Sequence, residues 1–161
     1  MRRTFAALAG LLALLIVPVR LSAKGKTVRI TIQGAALAAP IEITGQEAAD
    51  FRVWTGPGTS SDEPQGLIMD WSRGMAKPPE GLEVYQISFL TTRQARNTYV
   101  VSYVIDPANN HGYVYLPGKT EAGYADNVWM IWRGVEGNWF HAWSAWEKLA
   151  HPLIAKARAG R

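Results

Sequence analysis

The sequence predicts a mainly β protein, an antiparallel sheet or sandwich with a short helix near residues 45–50 and a C-terminal helix after Ser144. Three observations carry that class. Residues 27–33, Thr-Val-Arg-Ile-Thr-Ile-Gln, alternate strictly between apolar and polar. Two long runs, Leu82 to Thr91 and Thr98 to Asp106, are joined by a short polar segment suited to a hairpin. Ser144-Ala145-Trp146-Glu147 has capping-box spacing ahead of an amphipathic run. If that last helix packs on the sheet, the class is α+β.

The chain opens on a processing signal rather than on the fold. Met1-Arg2-Arg3 is positive, Phe5 to Val19 carries no charge, and Leu21 and Ala23 stand at the two small-residue recognition positions. The apolar run is shorter than the about 20 residues a spanning helix needs. Residues 1–23 are therefore expected to be a cleaved signal peptide. Residues 24–161 are expected to be one β-rich domain, periplasmic or extracellular, with no membrane anchor after cleavage.

The first strand follows near Thr27, with Val28, Ile30 and Ile32 expected on one face. Pro40 to Thr44 is a second strand, and Thr44 with Glu47 caps a short helix over Gly45 to Asp50. Phe51 to Trp54 reads as extended before the Gly56–Ser61 loop, and Leu67 to Trp71 as another strand. After the long hairpin, Asp106 to Gly112 is dense in turn formers, and Tyr113 to Leu116 resumes the sheet until Pro117-Gly118 stops it. Val128 to Arg133 and Trp139 to Trp143 make a further hairpin. The C-terminal helix places Trp146, Leu149 and Leu153 on one side, with a kink or break expected at Pro152.

Charge and composition exclude several function classes. The full chain has 17 basic and 13 acidic residues. Arg2, Arg3 and Arg20 leave with the leader, and seven of the remaining 14 Lys and Arg crowd the two ends. Phosphate-backbone binding needs clustered cations on the folded body, and the body here is acidic, so nucleic acid is not an expected partner. With no Cys, disulfides and thiolate chemistry are absent, and stability must come from a core that 7 Trp and 6 Tyr can build.

The stretches Pro40-Ile41-Glu42-Ile43-Thr44, Val53-Trp54-Thr55-Gly56-Pro57-Gly58 and Tyr113-Val114-Tyr115-Leu116-Pro117-Gly118 resemble a group of short exported bacterial proteins without an assigned activity. The run from Arg133 through Phe140 into Ser144-Ala145-Trp146 does so too. The resemblance implies an exported single domain and transfers no site.

Motif by motif, the sequence offers no named chemistry. Gly118-Lys119-Thr120 ends like a phosphate-binding loop, but Gly112 stands one residue too far away and the interior alternates like a strand. His111, His141 and His151 are 30 and 10 residues apart, unlike a metal-binding pair on one element, so each is expected to be solvated or structural. No Ser lies in a nucleophile-elbow context. No cofactor and no metal are expected.

The densest chemical signal is aromatic, because five Trp fall between Trp129 and Trp146. In the last hairpin Trp139, His141 and Trp143 share one face while Phe140 and Ala142 take the other. Three functions are consistent with this. The leading one is a non-catalytic exported domain that binds a carbohydrate or an envelope protein through Trp54, Trp71, His111, Trp139 and His141. Another is a cell-envelope hydrolase with Asp70, Glu136 or His111 as acid or base. A structural subunit docking through an exposed strand edge is a third.

Overall fold

A computed structural model describes residues 26–51, 68–92, 97–125 and 135–160. The expected leader, Trp54 and the expected strand over 128–133 lie outside these residues.

The described strands form one antiparallel sheet: β1 (Thr27–Gly34), β2 (Ile41–Thr44), β3 (Met75–Ala76), β4 (Val84–Thr91), β5 (Asn97–Asp106), β6 (His111–Leu116) and β7 (Asn138–His141), in the order β2-β1-β4-β5-β6-β7-β3. Two helices, α1 (Gly45–Asp50) and α2 (Ser144–Ala159), and a 3-10 turn at Trp71–Arg73 complete it. The mainly β, α+β architecture is the one the sequence predicts. Among the described residues no helix is long and apolar enough to cross a membrane.

Period-two alternation builds the core from one face of the sheet. Ile30 and Ile32 stand opposite Phe89 and Ile87, which stand opposite Tyr99 and Val101. Tyr85 faces Tyr103, Tyr103 faces Val114, and Val114 faces Phe140. All are buried. Removing each such side chain from water contributes about 1.5–3 kcal/mol. The helix α2 covers this face with Trp146, Ala150 and Ile154, spaced four apart. Trp146 is fully buried and meets Phe51 edge-on at 5.3 Å and Tyr103 edge-on at 6.0 Å.

On the opposite face the β1–β4 end is polar. There the Gln33 amide donates to Gln86 Oε1 at 2.8 Å. Towards β6 and β7 the same face turns aromatic, with Tyr113 opposite His141 and Tyr115 opposite Trp139.

Local details depart from the sequence reading for identifiable reasons. A bulge between Thr27 and Arg29 turns Val28 out to 39% exposure and buries Thr27, whose hydroxyl donates to the Phe51 carbonyl at 2.7 Å. The stretch expected as a strand over Leu67 to Trp71 makes a bridge only between Met69 and Ala142. It then tightens into the 3-10 turn, because Asp70 Oδ1 accepts the Ser72 N–H at 3.0 Å. The helix α2 runs as one element through Pro152 and does not break there. The N–H that Pro lacks would have met the carbonyl of Lys148, an exposed residue beside water. Its buried stripe is Trp146, Ala150 and Ile154, with Leu149 and Leu153 only partly buried at its flank.

Neither expected capping box closes. Thr44 stands at the N-cap of α1 without a side-chain bond, and the N-cap of α2 is Trp143. Glu147 spends its carboxylate elsewhere.

Candidate functional site

Glu147 lies in the first turn of α2, beside the buried Trp146, and reaches the end of the sheet where β6 begins. Its Oε1 accepts the Gly112 N–H at 2.7 Å and stands 2.8 Å from His111 Nδ1. On the far side of that ring, His111 Nε2 is 2.8 Å from His141 Nδ1 and 3.3 Å from Arg73 Nη1. Carboxylate, imidazole, imidazole and guanidinium thus form one connected chain. His111 and Glu147 side chains are each 18% exposed, so the cluster touches solvent without being bathed in it.

Elements distant in sequence bring these groups together. His111 is the first residue of β6 rather than part of the preceding turn, and its neighbour across the sheet is β7, which carries His141. The turn before β6 closes through Asn110, whose φ of 54° is left-handed. Arg73 arrives on the 3-10 turn, which is tied to β7 by the Asp70 N–H donating to the His141 carbonyl at 2.8 Å. Gly74 ends that turn at a φ of 70°, a conformation glycine adopts without steric cost.

The partners are compatible with one arrangement of the ring protons. A guanidinium only donates, so His111 Nε2 carries a lone pair and Nδ1 carries the proton that Glu147 accepts. The His141 Nδ1–H then donates to the same Nε2, leaving His141 Nε2 as a lone pair outside the chain. Burial, helped by the nearby Arg73 and His111, lowers the pKa of His141 below the usual imidazole value, against a smaller opposing pull from Asp70 and Glu147. His141 is therefore a neutral base at neutral pH.

A second polar pair lies behind the first. Tyr103 Oη is 2.7 Å from His151 Nε2, and His151 follows Glu147 by four residues on the same helix face. Burial lowers the His151 pKa and raises that of the Tyr103 hydroxyl, so both are neutral at neutral pH and share a hydrogen bond. Gly112 passes directly over this hydroxyl. A Cβ at position 112 would overlap Tyr103 Oη and lie 2.7 Å from its Cζ.

The sequence candidates separate accordingly. His111 and His141, expected as isolated solvated or structural residues, are hydrogen-bonded to each other. Trp71 packs on Phe140 with ring centres 4.8 Å apart, and Trp139 packs on Tyr115 at 5.1 Å. Both are partly buried. Asp70 acts on His141 only through space, since its carboxylate holds the 3-10 turn.

Glu136 is not part of the cluster. It pairs with Lys119 at 3.5 Å beyond the Leu116 end of β6, five residues from His111, or about 17 Å at the usual rise per residue. The segment resembling a phosphate loop is a turn, in which the Gly118 N–H donates to the Glu121 carboxylate at 2.8 Å. A carboxylate already occupies the place an anion would take.

Glu147, Arg73, Tyr103 and His151 were not among the sequence candidates. The one local signal was the i, i+4 spacing of Glu147 and His151 beside the apolar stripe of α2. Among the described residues no group of three His, Asp or Glu is arranged to hold a metal. The buried aromatic cluster and the Glu147–His111–His141 network together are consistent with a binding or catalytic site. No family model matches the chain, and no curated protein or solved structure matches it.

Proposed function

We propose that the protein is an exported hydrolase of the cell envelope that activates water with the Glu147–His111–His141 chain. The observation that carries this is the chain itself: two 2.8 Å contacts in series that link Glu147 through His111 to His141. Glu147 and His111 act as positioning residues, and His141 takes the proton of the attacking water. The new bond joins the water oxygen to the electrophilic centre. The bond to the leaving group breaks, and the leaving group receives the proton from His141. Water is added across one bond with no change in oxidation state.

The arrangement favours ester-type substrates over glycosides. Glycoside cleavage usually needs two carboxylates flanking the bond. Glu147 is committed to His111 and Gly112, and Asp70 to Ser72. The export component rests on the charged start and short apolar run of the leader.

The test is release of p-nitrophenol from p-nitrophenyl esters and glycosides, measured across about pH 5 to 8 where imidazole titrates. Esters should be turned over, with a rate that rises through an apparent pKa below the ordinary imidazole value. H141N should lose about 100- to 10,000-fold, and E147Q should move the pH profile. Equal activity of wild type and H141N, or no turnover of any ester, refutes the proposal.

A further inference from the structure

Arg73 has no carboxylate within ion-pair distance among the described residues, whereas Arg29, Lys119 and Arg158 each face one at 3.5–3.6 Å. Asp70 accepts from the Ser72 N–H, and Glu147 faces His111 and the Gly112 N–H. An exposed guanidinium with no ion-pair partner thus stands against a pair of imidazoles, 3.3 Å from one of them. Its remaining N–H groups can donate to an anion. A planar fork of N–H donors suits tetrahedral oxyanions, which it can hold by two parallel bonds.

Resting on the hydrolase proposal above, we infer that Arg73, His111 and His141 form a subsite for a phosphoryl group, and that the bond cleaved is a phosphoester. A carboxylate would satisfy the same charge, but it is not itself a scissile centre. In the phosphoester case the anion held by Arg73 is the reacting group. His141 Nε2 removes a proton from water as the water oxygen bonds to phosphorus. The P–O bond to the alcohol breaks, and the departing oxygen takes the proton from His141. Arg73 donates to the non-bridging oxygens as charge develops on them. The cluster's position in the fold supports this order of contacts. The guanidinium sits on an exposed turn, while Glu147 lies on the far side of the His111 ring.

The experiment uses the full chain and two readouts. Titration with inorganic phosphate, followed by the ring-proton NMR signals of His111 and His141, should shift both signals in wild type and neither in R73M. Turnover of p-nitrophenyl phosphate and bis(p-nitrophenyl) phosphate distinguishes monoester from diester substrates, with p-nitrophenyl acetate as the uncharged comparison. R73M should lower phosphoester kcat/KM by about 100- to 1,000-fold, at least tenfold more than it lowers acetate kcat/KM, and R73K should recover part of the loss. Thermal melting confirms that each variant is folded.

Acetate turnover that depends on His141, with no phosphate-induced shift or with equal losses on both substrate types in R73M, overturns the phosphoryl subsite and leaves the hydrolase proposal standing. Arg73-dependent phosphate shifts without turnover of any substrate overturn the hydrolase proposal and the phosphoester cleavage with it, and leave only the anion subsite.

Discussion

Replacing Gly112 by Ala puts the packing behind the site under direct test. The added Cβ falls on the Tyr103 hydroxyl and within 2.8 Å of two ring carbons. Tyr103 cannot swing away, because it is fully buried, with Trp146 edge-on at 6.0 Å and the His151 ring at its hydroxyl. Overpacking of this kind costs about 1–3 kcal/mol. Displacing the hydroxyl from His151 leaves a buried donor unpaired, at a further cost of about 1–3 kcal/mol. A sum near 3 kcal/mol corresponds to a fall in Tm of about 10 °C for a domain of this size. Y103F in the same background removes the overlapping oxygen but not the close ring carbons, so the double variant should regain part of the loss and not all of it. The assay is thermal and urea unfolding of the four proteins of the cycle. A G112A protein within about 0.5 kcal/mol of wild type, or strictly additive single and double variants, would refute this account of why position 112 is glycine.

Other outcomes follow from the same geometry. W146A should be the most damaging α2 substitution tested, costing about 3–5 kcal/mol by urea titration, because a fully buried ring is removed from between Phe51 and Tyr103. E147Q should raise the hydrogen–deuterium exchange rate of the Gly112 amide, since the charge-assisted acceptor is weakened. His141 and His151 have folded pKa values below the unfolded imidazole value of about 6.5. The unfolded chain therefore binds more protons as pH falls. Stability should hold above about pH 6.5 and decline below it, seen as a drop in Tm between neutral and mildly acidic buffers. H151Q, which keeps an acceptor for Tyr103, should make that decline shallower, and an unchanged decline would exclude His151 as a contributor.

The strands were legible where neighbours in sequence are neighbours in the sheet. Residues 82–91 and 98–106 announce the β4–β5 hairpin, and the alternation of Tyr113 to Leu116 announces most of β6. The short pairing of β3 with β7 was not legible, because two residues cannot show a period and their partner lies more than 60 positions away. The site divides the same way. His111 and His141 stood out by residue type, yet their contact depends on the β6–β7 register, which no local pattern encodes. Glu147 looked like a capping residue because its spacing from Ser144 is right for one. The competing acceptor sites, His111 and the Gly112 amide, come from a strand 35 residues earlier. Arg73 carried no signal at all, since one Arg in a polar loop looks like any solvated cation.

The strand order also governs when this cluster can come into being. The adjacent strands β4, β5 and β6 can pair as soon as they leave the ribosome, because their contacts are local. The segment carrying Arg73 is made before all of them but docks against β7, which is made after. Until residues 138–147 have emerged, Arg73 has no strand to rest on, and His111 lacks both His141 and Glu147. A chain still being made therefore holds the groups apart, and the proposed chemistry begins only when β7 and β3 have been added beside β6.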